Sequence, residues 1–186
     1  MTFFKRLFKP KPVEPDLEDH DDPEDSAAPS LPQPRPTPKG VGDILGEMPD
    51  EWLIRENVTI DRMTVDYVAV SPYGVYCIFE PAKRGKVTAT PRGLYVNNEK
   101  IEPLPTDVTG VLKPLRKYLG VPLEPIMVFR DSEIMGTEVG ALKIFSPERL
   151  KTHLLFKVTP VHNDTELREV LKRINVLQDE AKKWRY

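Results

Sequence analysis

The sequence predicts a mixed α/β domain, a central sheet flanked by helices, preceded by a disordered N-terminal tail. Three features of the chain point there. Nine of the 20 prolines fall within the first 39 of 186 residues. Beyond Trp52, short β-branched and aromatic runs separated by turn residues fill the first half of the remainder. The second half interleaves such runs with apolar residues at helical spacing, the pattern of one sheet with helical connections.

Residues 1–39 hold six Lys/Arg and eight Asp/Glu, the acids all between Glu14 and Asp25, with no apolar periodicity beyond Phe8. Such a segment buries too little apolar surface to offset the entropy of ordering it. Its tip differs in kind. Phe3, Phe4, Leu7 and Phe8 recur at one-turn spacing beside Lys5, Arg6, Lys9 and Lys11. On a helix they form an apolar stripe flanked by cations, and Pro10 ends it after about two turns, too few for a helix stable by itself in water. The tip reads as a docking peptide for an anionic membrane surface or a protein partner's groove, the alternative being a solvated end. The acidic run reads as a solvated block. Residues 27–39, with alternating prolines from Pro32 to Pro38, read as an extended spacer.

Residues 40–186 form the domain, 147 residues, long enough to bury roughly 70% of the surface the unfolded chain exposes. Trp52 to Ile60 and Val65 to Val70 have strand composition. Ser71-Pro72-Tyr73-Gly74 follows, with proline second and glycine fourth as in a tight turn. Val75 to Phe79 then reads as a buried strand, closing a hairpin. Lys86 to Ala89 and Leu94 to Val96 are two further strands around Pro91-Arg92-Gly93, followed by an Asn97-Asn98 turn. Val108, Val111, Leu112, Leu115 and Leu119 recur at helical spacing, with Gly120 at the C-terminal cap. Pro114, inside that pattern, predicts a kink. Ile126 to Phe129 and Ala141 to Phe145 read as strands with a polar loop, Arg130 to Gly140, between them. Ser146-Pro147-Glu148 opens a helix with serine at the cap, proline at the first position and an acid at the positive end. Val158 to Val161 reads as a last short strand. Asn163 or Asp164 caps a final helix with Leu167, Val170, Leu171, Ile174 and Leu177 on one face.

Charge and cysteine usage narrow the function classes. The chain has 27 basic and 29 acidic residues, and removing the tail's six and eight leaves 21 of each in the domain. A protein that lives on phosphate contacts usually carries a basic excess, so nucleic acid is left as a candidate partner only through a local patch. Cys77 is the single cysteine, expected reduced and buried, which excludes an intrachain disulfide. No apolar run approaches the ~20 residues of a membrane helix. The expected location is cytoplasmic, with peripheral membrane attachment open to the tip. His20, His153 and His162 are scattered, and no Cys/His spacing suggests zinc.

Val65-Asp66-Tyr67-Val68-Ala69-Val70-Ser71-Pro72-Tyr73-Gly74-Val75-Tyr76-Cys77-Ile78, followed by Arg84-Gly85-Lys86-Val87, resembles the signature of the nuclease-related domain known as NERD. The helix carrying Leu115-Arg116 and the strand Ile126 to Phe129 fall where that family continues, so the resemblance spans Glu51 to Phe156. It implies a restriction-endonuclease-like fold and a DNA-processing ancestry, in which an Asp and a Glu hold Mg²⁺ and a Lys orients the attacking water. Carboxylate oxygens suit that cation, and the metal lowers the pKa of bound water. Asp66 matches the family's Asp. Phe79 stands at the position of its Glu and Pro81 at that of its Lys, while Asp107 replaces a helical Gln. Asp43, Glu47 and Glu51 are what is left of an early acidic helix.

Glu80 and Lys83 are the nearest substitutes. Alternation in a strand directs Val75, Cys77 and Phe79 to one side and Tyr76, Ile78 and Glu80 to the other, so Glu80 points away from the family's Glu unless a bulge at Pro81 turns it back. Asp66 itself reads either as a metal ligand or as a buried acid satisfied by backbone donors or by Arg62 or Arg84. The leading expectation is a pseudoenzyme, a catalytically degenerate nuclease-related domain that binds or scaffolds and needs no cofactor. One alternative is an active Mg²⁺-dependent nuclease using Asp66, Glu80 and Lys83, the first two on the metal. The other is a membrane or partner adaptor docked through residues 3–9.

Overall fold

Two successive hairpins start the domain. In the computed structural model, which describes residues 39–60, 63–105 and 112–183, β1 (Leu53–Ile60) pairs antiparallel with β2 (Met63–Ser71), and β2 with β3 (Gly74–Phe79). The second hairpin closes at the expected turn, with Ser71 opposite Gly74 and the Ser71 hydroxyl accepting the Tyr73 N–H at 3.2 Å. The chain then crosses over to β7 (Glu124–Val128) and again to β10 (Leu142–Phe145), both parallel to β3. A two-residue strand, β9 (Glu138–Val139), finishes the order β1-β2-β3-β7-β10-β9. The fold is therefore a mixed α/β sheet, as the sequence predicts.

Strand alternation divides the core. Val75 and Cys77 join Val68 and Val70 on one face, where Leu115 and Leu119 of α2 (Lys113–Leu119) and Val170, Ile174 and Leu177 of α4 (Asp164–Lys183) cover them. Tyr76 and Ile78 join Ala69, Ile126 and Val128 on the other, under Val41, Ile44 and Leu45 of α1 (Val41–Gly46) and Leu150 and Leu154 of α3 (Pro147–Leu155). Burying each such aliphatic side chain contributes about 1.5–3 kcal/mol. Trp52 stacks on Tyr76 with ring centres 5.5 Å apart.

A second sheet packs Val87, Leu94 and Val96 against Met127, Phe129, Leu142 and Ile144. It comprises β4 (Lys86–Thr90), β5 (Gly93–Val96), β6 (Glu99–Lys100) and β8 (Glu133–Met135), in the order β6-β5-β4-β8. Gly85, with φ of +122°, admits the Asn97 side chain, whose Oδ1 accepts the Lys86 N–H at 2.9 Å while its Nδ2 donates to the Arg84 carbonyl at 3.0 Å. A β-carbon on Gly85 would lie 2.3 Å from Asn97 Oδ1.

Several sequence expectations need correction. Pro114 occupies the first turn of α2, where its missing N–H has no helical partner to lose, and it produces no kink. Val108, Val111 and Asp107 lie outside the described residues, as do Arg62 and the whole docking tip from Phe3 to Phe8. The polar loop from Arg130 to Gly140 contains β8 and β9. Val158 to Val161 forms no strand: Val158 and Val161 are exposed, and the Val161 and His162 N–H groups donate to the Pro72 carbonyl at 2.8 and 3.1 Å. The helix caps are where the sequence places them. Gly120 is left-handed at φ +77°, the Ser146 hydroxyl accepts from Arg149, and Asn163 and Glu166 exchange reciprocal bonds of 3.0 and 3.2 Å.

Candidate functional site

The family resemblance directs attention first to the carboxyl ends of β3 and β7. Asp66 lies on β2, and its Oδ2 accepts the backbone N–H of Glu80 at 2.7 Å, extending the ladder by one side-chain bond. Of the partners expected for a buried acid here, the backbone donor is found among the described residues, and Arg62 lies outside them. Arg84 turns instead to Asp131, 3.2 Å away. The alternation that turns Tyr76 and Ile78 toward α1 and α3 continues to Glu80, whose carboxylate meets Arg130, two residues beyond Val128 on the neighbouring strand. Glu80 Oε1 is paired with the Arg130 guanidinium, 2.5 Å from Nε. This carboxylate is only 13% exposed. Burial, with Glu80 next in size, pushes the neighbouring Tyr67 hydroxyl pKa up.

Lys83 reaches away from both acids to Glu99, 3.0 Å distant, and both side chains are exposed. The three residues thus have three separate partners. Asp66 is bonded to a backbone N–H and Glu80 is paired with an arginine. No group of three or more His, Cys, Asp or Glu among the described residues is arranged to hold a metal ion. Phe79, at the position of the family's Glu, packs partly buried between the two core clusters on its face. Of the remaining acids, Asp43 accepts the Gly40 N–H at 2.9 Å. Glu47 pairs with Lys151 and Lys39, which hold its carboxyl down at about 2.

The amino ends of the same parallel strands carry a second arrangement that the sequence did not reveal. A cleft of about 890 Å³ opens there, with Val75, Pro122 and Leu123 among its apolar lining. Glu124, the first residue of β7, forms one wall with His153 from the last turn of α3. His153 Nε2 and Glu124 Oε1 are 2.6 Å apart, and Lys157 Nζ approaches Oε2 at 3.4 Å. The hydrogen bond to His153 holds the Glu124 carboxyl below its ordinary pKa, against the opposing effect of burial. The His153 ring packs on Phe145, 4.8 Å between centres. Across the cleft His162, only 9% exposed, sets Nδ1 3.5 Å from Glu166 Oε2. Periodicity could not have found this pairing. His153 lies on a helix and His162 in a loop, and the loop's bonds to Pro72 bring it to the strand ends.

No protein-family model, curated protein or solved structure matches the chain. Among the described residues no helix is long and apolar enough to cross a membrane.

Proposed function

We propose that this domain is a binding or scaffolding module built on a nuclease-related, restriction-endonuclease-like framework, in which the positions once used for metal hydrolysis now serve structure. The antiparallel run β1-β2-β3, followed through a helical crossover by parallel β7, is compatible with that framework. One observation carries the reading: Asp66, the one residue matching the family's metal ligands, spends an oxygen on the Glu80 N–H. Glu80, the nearest replacement for the second ligand, is turned to Arg130. The domain's even balance of charge favours partners other than a bare phosphate backbone.

Incubation of the purified protein with single- and double-stranded DNA in Mg²⁺ or Mn²⁺ tests the proposal. The expected result is intact DNA with either metal. Metal-dependent cleavage that Asp66→Ala abolishes would overturn it in favour of an active nuclease using Asp66, Glu80 and Lys83.

A further inference from the structure

We infer that the protein docks on an anionic lipid surface through the exposed loop that follows α3, with the basic aromatic tip of the tail as a second contact. Seven large apolar side chains are exposed among the described residues. Four of them, Leu155, Phe156, Val158 and Val161, fall within seven consecutive residues, and Phe156, Val158 and Val161 are the most exposed, at 78, 77 and 62%. Single apolar residues scattered over a surface are ordinary, whereas a cluster marks a contact. This cluster is held in place. The Phe156 N–H donates to the Thr152 carbonyl at 3.0 Å, and at the far end the Val161 and His162 N–H groups donate to the Pro72 carbonyl. A pinned loop therefore presents these side chains to solvent.

Charge divides the work between the two elements. Residues 148–166 hold Arg149, Lys151 and Lys157 against Glu148, Asp164 and Glu166, so the loop offers apolar contact without net attraction. Lys151 and Lys157 are already turned to Glu47 and Glu124. The tip, which enters by its sequence alone, supplies the attraction. Residues 1–13 carry Lys5, Arg6, Lys9 and Lys11 with no acid, beside Phe3, Phe4, Leu7 and Phe8. Each cation beside an anionic leaflet strengthens binding roughly fivefold. The acids from Glu14 to Asp25 make residues 1–39 slightly negative as a whole, so this attraction is local, on the scale of the Debye length of roughly 10 Å at about 0.1 M salt. One short apolar element attaches to a bilayer only marginally, and two in one chain bind far better. A bilayer accepts both without a shaped groove, since each needs only an apolar layer beneath charged headgroups. A protein partner would have to provide two separate grooves.

The test is co-sedimentation of the full chain with vesicles of phosphatidylcholine alone and of phosphatidylcholine mixed with phosphatidylglycerol, at about 0.1 M and about 0.5 M salt. The mixed vesicles should carry the protein down at the lower salt and less of it at the higher, while phosphatidylcholine alone leaves it in solution. Phe156→Ser combined with Val158→Ser should weaken partition at least about tenfold, the effect of withdrawing one large apolar side chain from an apolar layer. Phe4→Ser combined with Phe8→Ser should do the same. Phe156 and Val158 are exposed, so the loop variant is expected to fold, which its thermal unfolding checks. Failure to bind the mixed vesicles, equal binding to phosphatidylcholine alone, or undiminished binding by either folded variant would each overturn the assignment. So would self-association of the wild type in sedimentation velocity that the loop variant abolishes, because the loop would then belong to a second copy of the chain. None of these readouts involves DNA, so their outcome is separate from whether the domain cleaves it.

Discussion

Replacing Asp66 separates its two readings by stability alone. In the wild-type protein its carboxylate takes the Glu80 N–H in a bond of 2.7 Å, charge-assisted and half-buried. Asp66→Ala leaves that N–H without its acceptor. Stranding a buried donor costs about 1–3 kcal/mol, and partial access of water here places the expected loss at about 1–2 kcal/mol. Asp66→Asn keeps a carbonyl oxygen at the same place and should lose less than about 1 kcal/mol. At roughly 2–4 °C per kcal/mol for a chain of this size, Asp66→Ala should melt about 2–8 °C lower. Circular dichroism during thermal and urea unfolding, with and without Mg²⁺, measures both variants. An Asp66→Ala protein within about 0.5 kcal/mol of wild type would refute the structural role. So would Mg²⁺ raising the wild-type midpoint but not that of Asp66→Asn, since a ligand stabilises only the state that binds it.

Asn163→Ala removes the acceptor for the Glu166 N–H and should cost about 1 kcal/mol in urea unfolding, with Asn163→Asp largely retaining the cap. Gly136→Ala should destabilise more than Gly140→Ala. Both glycines have positive φ, +85° and +58°, but a β-carbon at 136 would meet the Ala89 carbonyl oxygen at 2.4 Å while 140 is open; the strain shared by both is about 1–2 kcal/mol. Because the folded Glu124 carboxyl titrates below its unfolded value, wild type should exceed Glu124→Gln by about 1 kcal/mol above the ordinary carboxylate pKa. That margin should vanish as pH falls through the depressed folded value, which urea midpoints between neutral and acid pH will follow. Ile174→Ala, emptying a fully buried site on α4, should cost about 2–5 kcal/mol.

Features governed by local chemistry were legible in the sequence. The Ser71 to Gly74 turn, the Gly120 C-cap and the Ser146 and Asn163 N-caps each depend on a few adjacent residues, and each stands where expected. Features that depend on distant partners were not. Val158 to Val161 has strand composition but finds no strand to pair with, whereas Glu133–Met135, inside a stretch read as a polar loop, becomes a strand because β4 lies beside it. Periodicity drew the α2 helix through Pro114, yet the helix begins at Lys113, where a proline without an N–H fits. At the candidate site, alternation along β3 separated Glu80 from Phe79, and the partner of Glu80 came from the turn after β7, far along the chain. The meeting of Glu124 with His153 joins residues 29 apart that share no local pattern.

The second sheet is contributed by two separate stretches of chain. Lys86 to Lys100 leaves after β3, Glu133 to Met135 leaves after β7, and the two meet as the parallel pair β4 and β8. The Gly85 N–H reaches the Ser132 hydroxyl across 47 residues of chain, and the Glu133 N–H returns to the Gly85 carbonyl. Joining positions so far apart carries a loop-closure entropy that neighbouring strands in a hairpin avoid. The seam should therefore close late in folding, once β3 and β7 have already set their spacing. Losing the excursion from Lys86 to Lys100 would strip β8 of its one partner strand in this sheet, whereas losing β8 would leave β4 still paired with β5, so the dependence of the two excursions runs one way.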